Sequence, residues 1–253
     1  MEPFYRTVIG LARTVFAAQG LKFTVTGAEN IPAVGGAVIA MNHVGYMDFT
    51  YAGLPARTSK RYIRFMAKKE VFDHKISGPL MRAMKHIPVD RADGADSYRA
   101  AVDALRAGEL VGVFPEATIS RSFEIKGFKT GAARMAIEAN VPIIPVVLWG
   151  SQRVWTKGHP KRLGRTKTPI SIAVGEPIRP YESASELTAE LHSRMESMLR
   201  ELQSSYVHEP GAYWVPVRLG GTAPTLAEAT ALDDADTAAR KARRAQKDAG
   251  TDG

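Results

Sequence analysis

Two short segments of this 253-residue chain carry side chains that can do polar chemistry on a bound molecule. The first is Asn42-His43-Val44-Gly45-Tyr46-Met47-Asp48, which follows an apolar run, Ala37 to Met41, that reads as a buried strand. In α/β sheets functional groups gather where strands end. Five positions apart, His43 and Asp48 cannot share a helix face, but they meet if the chain turns through Gly45 and Asp48 opens the next helix. A carboxylate on one imidazole nitrogen fixes the tautomer and leaves the other nitrogen to accept a proton, which is general-base equipment. Taken alone, the pair is better explained as a core histidine followed by a helix-capping aspartate. The second segment, Val113-Phe114-Pro115-Glu116-Ala117-Thr118-Ile119-Ser120-Arg121, lies at the end of the strand-like run Leu110 to Phe114. It offers a carboxylate, two hydroxyls, an arginine and free backbone N–H groups for gripping a polar substrate or an oxyanion, although alone it is better explained as a plain loop with Thr118 as a helix cap.

The elements that must position these segments alternate along the chain. Strands are expected at Ala37–Met41, Tyr62–Ala67, Ile87–Val89, Leu110–Phe114, Ile143–Leu148 and Ile170–Val174. Helices are expected at Met47–Ala56, Ser77–Lys85, Ser97–Ala107, Gly131–Ala139 and Ser185–Gln203. This alternation predicts a single α/β domain over residues 21–219, with a mostly parallel or mixed sheet flanked by helices. Residues 1–20 form an amphipathic helix in which Phe4, Val8, Leu11 and Val15 repeat at helical spacing beside Tyr5, Ile9, Ala12 and Phe16. It fits either against its own domain or in the plane of a membrane, with Arg6 and Arg13 at headgroup height. From Gly220 the composition shifts to Ala, Thr, Asp, Lys and Arg, and residues 220–253 read as a flexible, disordered tail with transient helix around Thr225 to Ala245.

Bulk composition narrows the functions. With no cysteine, disulfides, thiolate metal sites and cysteine nucleophiles are excluded. The formal charge is +8, and the last 34 residues hold five basic and six acidic residues, so the rest is more basic still. Such a surface attracts nucleic acid, anionic lipid or phosphorylated substrates. The cations are dispersed and no helix-turn-helix or aromatic stacking motif is present, which argues against nucleic acid. No apolar run reaches the length of a spanning helix, and Met1 to Gly20 lacks the architecture of a cleavable signal. There is no Gly-x-Ser-x-Gly elbow, no glycine before Lys129 to complete a phosphate loop, and no metal-ligand spacing among six histidines.

Four blocks in order tie the two segments together: Asn42-His43 with four residues to Asp48, Ile87-Pro88-Val89-Asp90-Arg91, Phe114-Pro115-Glu116-Ala117-Thr118, and Val141-Pro142-Ile143-Ile144-Pro145. With Lys68-Lys69-Glu70-Val71-Phe72 and Phe128-Lys129-Thr130-Gly131 between them, the series resembles the glycerolipid acyltransferase family, which includes bacterial 1-acylglycerol-3-phosphate acyltransferases. The likeness covers roughly residues 20 to 205 and implies a peripheral enzyme of the anionic cytoplasmic face of the plasma membrane. Such an enzyme moves an acyl group from acyl-CoA or acyl carrier protein to a lysophospholipid hydroxyl in phosphatidic acid synthesis, without cofactor or metal. It implies His43 as the base and Asp48 as its orienting partner. Asn42, Lys68, Asp90, Arg91, Glu116, Ala117, Thr118 and Arg121 are implied at the substrate, with Arg91 forking onto phosphate, and the fourth block belongs to the fold and the acyl wall. The chain departs from the family where the third block usually reads glycine, threonine, arginine: Ala117 stands for the glycine and Ile119 for the arginine. Either Arg121, Lys126 or Lys68 takes over the phosphate, or the acceptor differs, another lysophospholipid or a glycolipid being the alternative. A catalytically inactive lipid-binding relative is the reading from a different class.

Overall fold

Alternation of short apolar runs with amphipathic ones produces a seven-stranded sheet between helical layers. The computed structural model describes residues 2–90 and 94–249. The strands are β1 (Lys22–Thr26), β2 (Ala37–Met41), β3 (Ile63–Lys68), β4 (Ile87–Val89), β5 (Leu110–Val113), β6 (Ile143–Trp149) and β7 (Pro169–Val174). Their order across the sheet is β1-β7-β6-β2-β5-β3-β4. All neighbouring pairs are parallel except β6 with β7, so the expected mixed sheet is what forms. Every residue of β2, β5 and β6 is buried, the condition of parallel strands covered on both faces. The helices are α1 (Pro3–Ala18), α2 (Asp48–Ala52), α3 (Lys69–Asp73), α4 (Ser77–Ala83), α5 (Gly94–Arg106), α6 (Gly131–Ala139), α7 (Ala184–Ser204) and α8 (Leu226–Ala249).

Two elements went unread in the sequence. β1 is an edge strand with most side chains in water, so it lacks the apolar run that marks a buried strand. α3 is a single turn bearing Lys69, Glu70 and Asp73, too short for a helical period to show. The expected helix Met47–Ala56 is shorter, α2 giving way to a brief 3-10 turn at Pro55–Arg57 because Pro55 removes a backbone donor.

The chain forms two compact units. The first comprises residues 1–119 and 127–206, and the second residues 120–126 and 207–253. In the second, Gly211 donates to the Gly220 carbonyl, Ala223 donates to the Val215 carbonyl, and residues 226–249 of the segment read as a tail form α8, over the stretch where helix was expected. Arg121 pairs there with Asp233 and Asp236 of α8, Lys126 with Asp233 (2.5 Å), and Arg218 with Glu124 (2.6 Å).

In the first unit α1 is anchored at both ends. Phe16 packs against Phe23 and Tyr51 in the main core. Tyr5 stacks on Tyr62 and donates to the Ile63 carbonyl (2.9 Å). Beside Tyr5 lies a buried polar cluster. Arg64 is 4% exposed and is held by Glu2, Glu109 and the Met84 carbonyl, so its charge is compensated on three sides. Next to it His86 Nδ1 accepts the Phe65 N–H (3.0 Å). Burial, reinforced by the Arg64 charge, pushes the imidazole down to about 4.

His86 therefore stays neutral in the folded chain while its unfolded counterpart takes up a proton near pH 6.5. Its contribution is complete above about pH 6.5 and declines as pH falls toward about 4, by about 3 kcal/mol in all. Urea unfolding across this range should show that slope in the wild type and a flatter one in His86→Gln, whose amide oxygen can still accept the Phe65 N–H.

Candidate active site

Three adjacent parallel strands, β6, β2 and β5, end on one edge of the sheet, and the loops that follow them meet there. β2 leads into His43, β5 into Glu116 and β6 into Ser151. β2 and β6 stay in register beyond their last rung through Asn42, whose buried amide donates to the Leu148 carbonyl (3.1 Å) and accepts its N–H (2.7 Å). Asn42, expected at the substrate, spends its amide on this peptide. It acts as a side-chain rung where the backbones diverge.

His43 and Asp48 come together as the spacing implied. The chain turns through Gly45, and Asp48 is the first residue of α2. His43 Nδ1 lies 3.0 Å from Asp48 Oδ2. The same oxygen accepts the N–H groups of Val44 (2.7 Å) and Gly45 (2.8 Å), and Oδ1 accepts the Ser151 hydroxyl. Four donors converge on a fully buried side chain with no donor of its own when ionised. Facing a carboxylate, Nδ1 is the nitrogen placed to donate, and Nε2 is the nitrogen that does not face it. The imidazole is 20% exposed and stacks on Phe114 at 4.1 Å, which restricts its rotation. Glu116 Oε1 takes the His43 backbone N–H (2.8 Å) from β5's loop, so this carboxylate fixes the histidine's main chain.

The loop after β6 clamps the histidine turn from the other side. Trp155 accepts the Tyr46 N–H on its carbonyl (2.9 Å) and its ring lies 4.6 Å from that of Tyr46. Thr156 donates to the Val44 carbonyl (2.7 Å), and Lys157 Nζ donates to Thr118 Oγ1 (2.6 Å). The close approach favours Gly45, since a Cβ there would stand 3.0 Å from the Trp155 carbonyl oxygen and press it back. Sequence reading passed over Ser151 and Lys157 because nothing near them in the chain announces a site.

The remaining candidates have other positions or partners. Lys68 ends β3 and is exposed. Asp90, just past β4, pairs with Lys69 (3.1 Å). β4 is three strands from β2, about 14 Å at ordinary strand spacing. Arg91 lies outside the described residues. Arg121 belongs to the second unit, where Asp233 and Asp236 engage its guanidinium, and Lys126 meets Asp233 there too. Ile119 is buried, 4% exposed. Val141 to Pro145 leads into and begins β6, in the middle of the sheet. Ala117 sits in the left-handed region at φ 60°, which explains a preference for glycine at that position. A largely apolar cleft is bounded by α1, α2 and β3 and lined among others by Val8, Ala12, Phe49, Leu54 and Phe65.

Comparison with known proteins places the chain among acyltransferases. The family described as Acyltransferase matches residues 22–149. The 1-acyl-sn-glycerol-3-phosphate acyltransferase of Bacillus subtilis is 30% identical over 188 residues, covering 71% of this chain and 87% of that protein. Its counterpart from Borreliella burgdorferi is 31% identical over 144 residues, 54% of this chain and 55% of that one. The fold is shared with the 1-acyl-sn-glycerophosphate acyltransferase of Thermotoga maritima at a TM-score of 0.65 and 24% identity, over 80% of this chain and 81% of that chain.

The strain at Ala117 has a measurable cost. An L-residue in the left-handed region is disfavoured by about 1–2 kcal/mol, while glycine adds about 0.4–1 kcal/mol of unfolded-state entropy against folding. Ala117→Gly should raise the unfolding free energy by about 0.5–1 kcal/mol, read as a higher urea midpoint with an unchanged slope.

Proposed function

The chain belongs to the acyltransferase family, and on that footing we propose that it transfers a fatty acyl group from an acyl thioester to the free hydroxyl of 1-acylglycerol 3-phosphate, yielding phosphatidic acid. The observation that carries this reading is the His43–Asp48 pair, with Nδ1 bound to the carboxylate and the ring partly exposed. His43 Nε2 takes the proton of the acceptor hydroxyl as the oxygen attacks the thioester carbonyl. The C–S bond of the tetrahedral intermediate then breaks, and the imidazolium returns the proton to the departing thiolate. Asp48 steadies the transient positive charge. Acyl-CoA and acyl carrier protein both present the required thioester, and the cycle is complete without a cofactor.

The cleft between α1, α2 and β3 suits an acyl chain. Its wall residue Phe49 directly follows Asp48, so a chain held there leads toward the reacting carbonyl. One observation favours a second acceptor, another lysophospholipid or a glycolipid: buried Ile119 stands where the family usually has an arginine. An acceptor panel with one acyl-CoA, its products resolved by mass spectrometry, decides between them.

The enzyme works peripherally, on the anionic cytoplasmic face of the plasma membrane. Among the described residues no helix is long and apolar enough to cross a membrane. While Tyr5 and Phe16 anchor α1 to its unit, Phe4, Leu11 and Val15 remain 44%, 68% and 47% exposed along one stripe of the same helix. Both readings of this helix thus have residues to support them, on different faces. Arg6 and Arg13 add headgroup attraction.

Two outcomes are expected. His43→Ala and Asp48→Ala should each lower kcat by about 10²–10⁴-fold in an assay of coenzyme A release, and the double variant should be scarcely worse than His43→Ala because the pair acts as a unit. A folded His43→Ala enzyme with wild-type rates would overturn the mechanism. Leu11→Glu with Val15→Glu should weaken sedimentation with vesicles containing anionic phospholipid while leaving the thermal midpoint unchanged. Equal sedimentation would leave α1 without a membrane role.

A further inference from the structure

The third block has Ile119 where the family it resembles usually has an arginine, yet an ammonium reaches that block from elsewhere. Ile119 is buried, and its predecessor Thr118 accepts a hydrogen bond from Lys157 Nζ at 2.6 Å. Lys157 belongs to the loop after β6, thirty-nine residues further along. Since β6 is the direct neighbour of β2, that loop opens immediately beside the histidine turn. The two residues before Lys157 are pinned to this turn, Trp155 through the Tyr46 N–H and Thr156 through the Val44 carbonyl. Lys157 thus has a fixed backbone and a steered side chain. Its terminal charge lies against a block whose Glu116 holds the His43 N–H.

We propose that Lys157 is the phosphate-binding cation of this enzyme, supplying from the β6 loop the charge that Ile119 removed from the third block. The assignment rests on the acceptor being a phosphate monoester, as argued above. A strand neighbouring β2 delivers Lys157, whereas the Asp90 loop lies three strands away. Arg121 and Lys126 meet Asp233 and Asp236 of α8. An ammonium is a compact point charge with three rotatable donors, so it binds a phosphate oxygen without the planar fork an arginine imposes. Thr118 Oγ1 lies within reach of the same phosphate and orients the ammonium toward it.

The test is steady-state kinetics on full-length Lys157→Ala, Lys157→Met and Lys157→Arg, with folding checked by thermal unfolding. For 1-acylglycerol 3-phosphate, KM should rise roughly 10- to 100-fold in the Ala and Met variants, the range of a charged hydrogen bond, and recover substantially in Lys157→Arg. KM for acyl-CoA and the inhibition constant of monoacylglycerol, which lacks the phosphate, should not move. A folded Lys157→Met enzyme with wild-type KM for the phosphorylated acceptor overturns the assignment alone. Parallel weakening of monoacylglycerol binding also overturns it, making Lys157 a loop tether. A wild-type enzyme indifferent to the phosphate would overturn the acceptor reading along with it, and shows as much before any variant is made.

Discussion

A buried carboxylate must draw all its hydrogen bonds from protein, and Asp48 draws them from two different strand ends. Val44, Gly45 and His43 belong to the turn after β2, and Ser151 to the turn after β6. Leaving such a group short of a donor costs about 1–3 kcal/mol or more. Closing the β2 turn on Asp48 and seating β6 beside β2 are therefore coupled events. The parallel pairing of these strands, the Asn42 rung and the close approach at Gly45 all serve to bring four donors to two oxygens. Orientation of His43 then follows, since its Nδ1 faces the same oxygen that fixes the turn.

Much of this was legible in the sequence. Central strands showed because burial on both faces demands uninterrupted apolar runs, and β4 and α6 fall on their expected residues. His43 and Asp48 were legible because their five-residue spacing and the glycine between them describe a turn. Ser151 and Lys157 were not. Each acts on a residue far away in the chain, Ser151 on Asp48 at a separation of 103, so its role exists only once the strand order is known. The ion pairs of Arg121 were illegible for the same reason, because its partners lie more than a hundred residues downstream. Asn42 and Glu116 were singled out rightly as special but for a different reason. They hold backbone in place, His43's in the case of Glu116.

The third block shows how a local departure is absorbed. Ala117 keeps the left-handed backbone that glycine would adopt at less strain, so the turn survives and Glu116 still faces His43. Ile119 goes into the interior, which suits its side chain and removes it from polar work. Backbone geometry is thus preserved while side-chain chemistry moves to another loop.

The second unit joins residues from the middle of the chain to residues from its end, Arg121 to Asp233 across 112 positions. On a ribosome these partners are made far apart in time. At ordinary translation speeds of about 5–20 residues per second, Arg121 emerges on the order of ten seconds before its carboxylate exists. For that interval the segment Ser120–Lys126 is without the partners that it meets in this unit. The ion pairs of this unit therefore form late in synthesis, once residues 218–236 have left the exit tunnel.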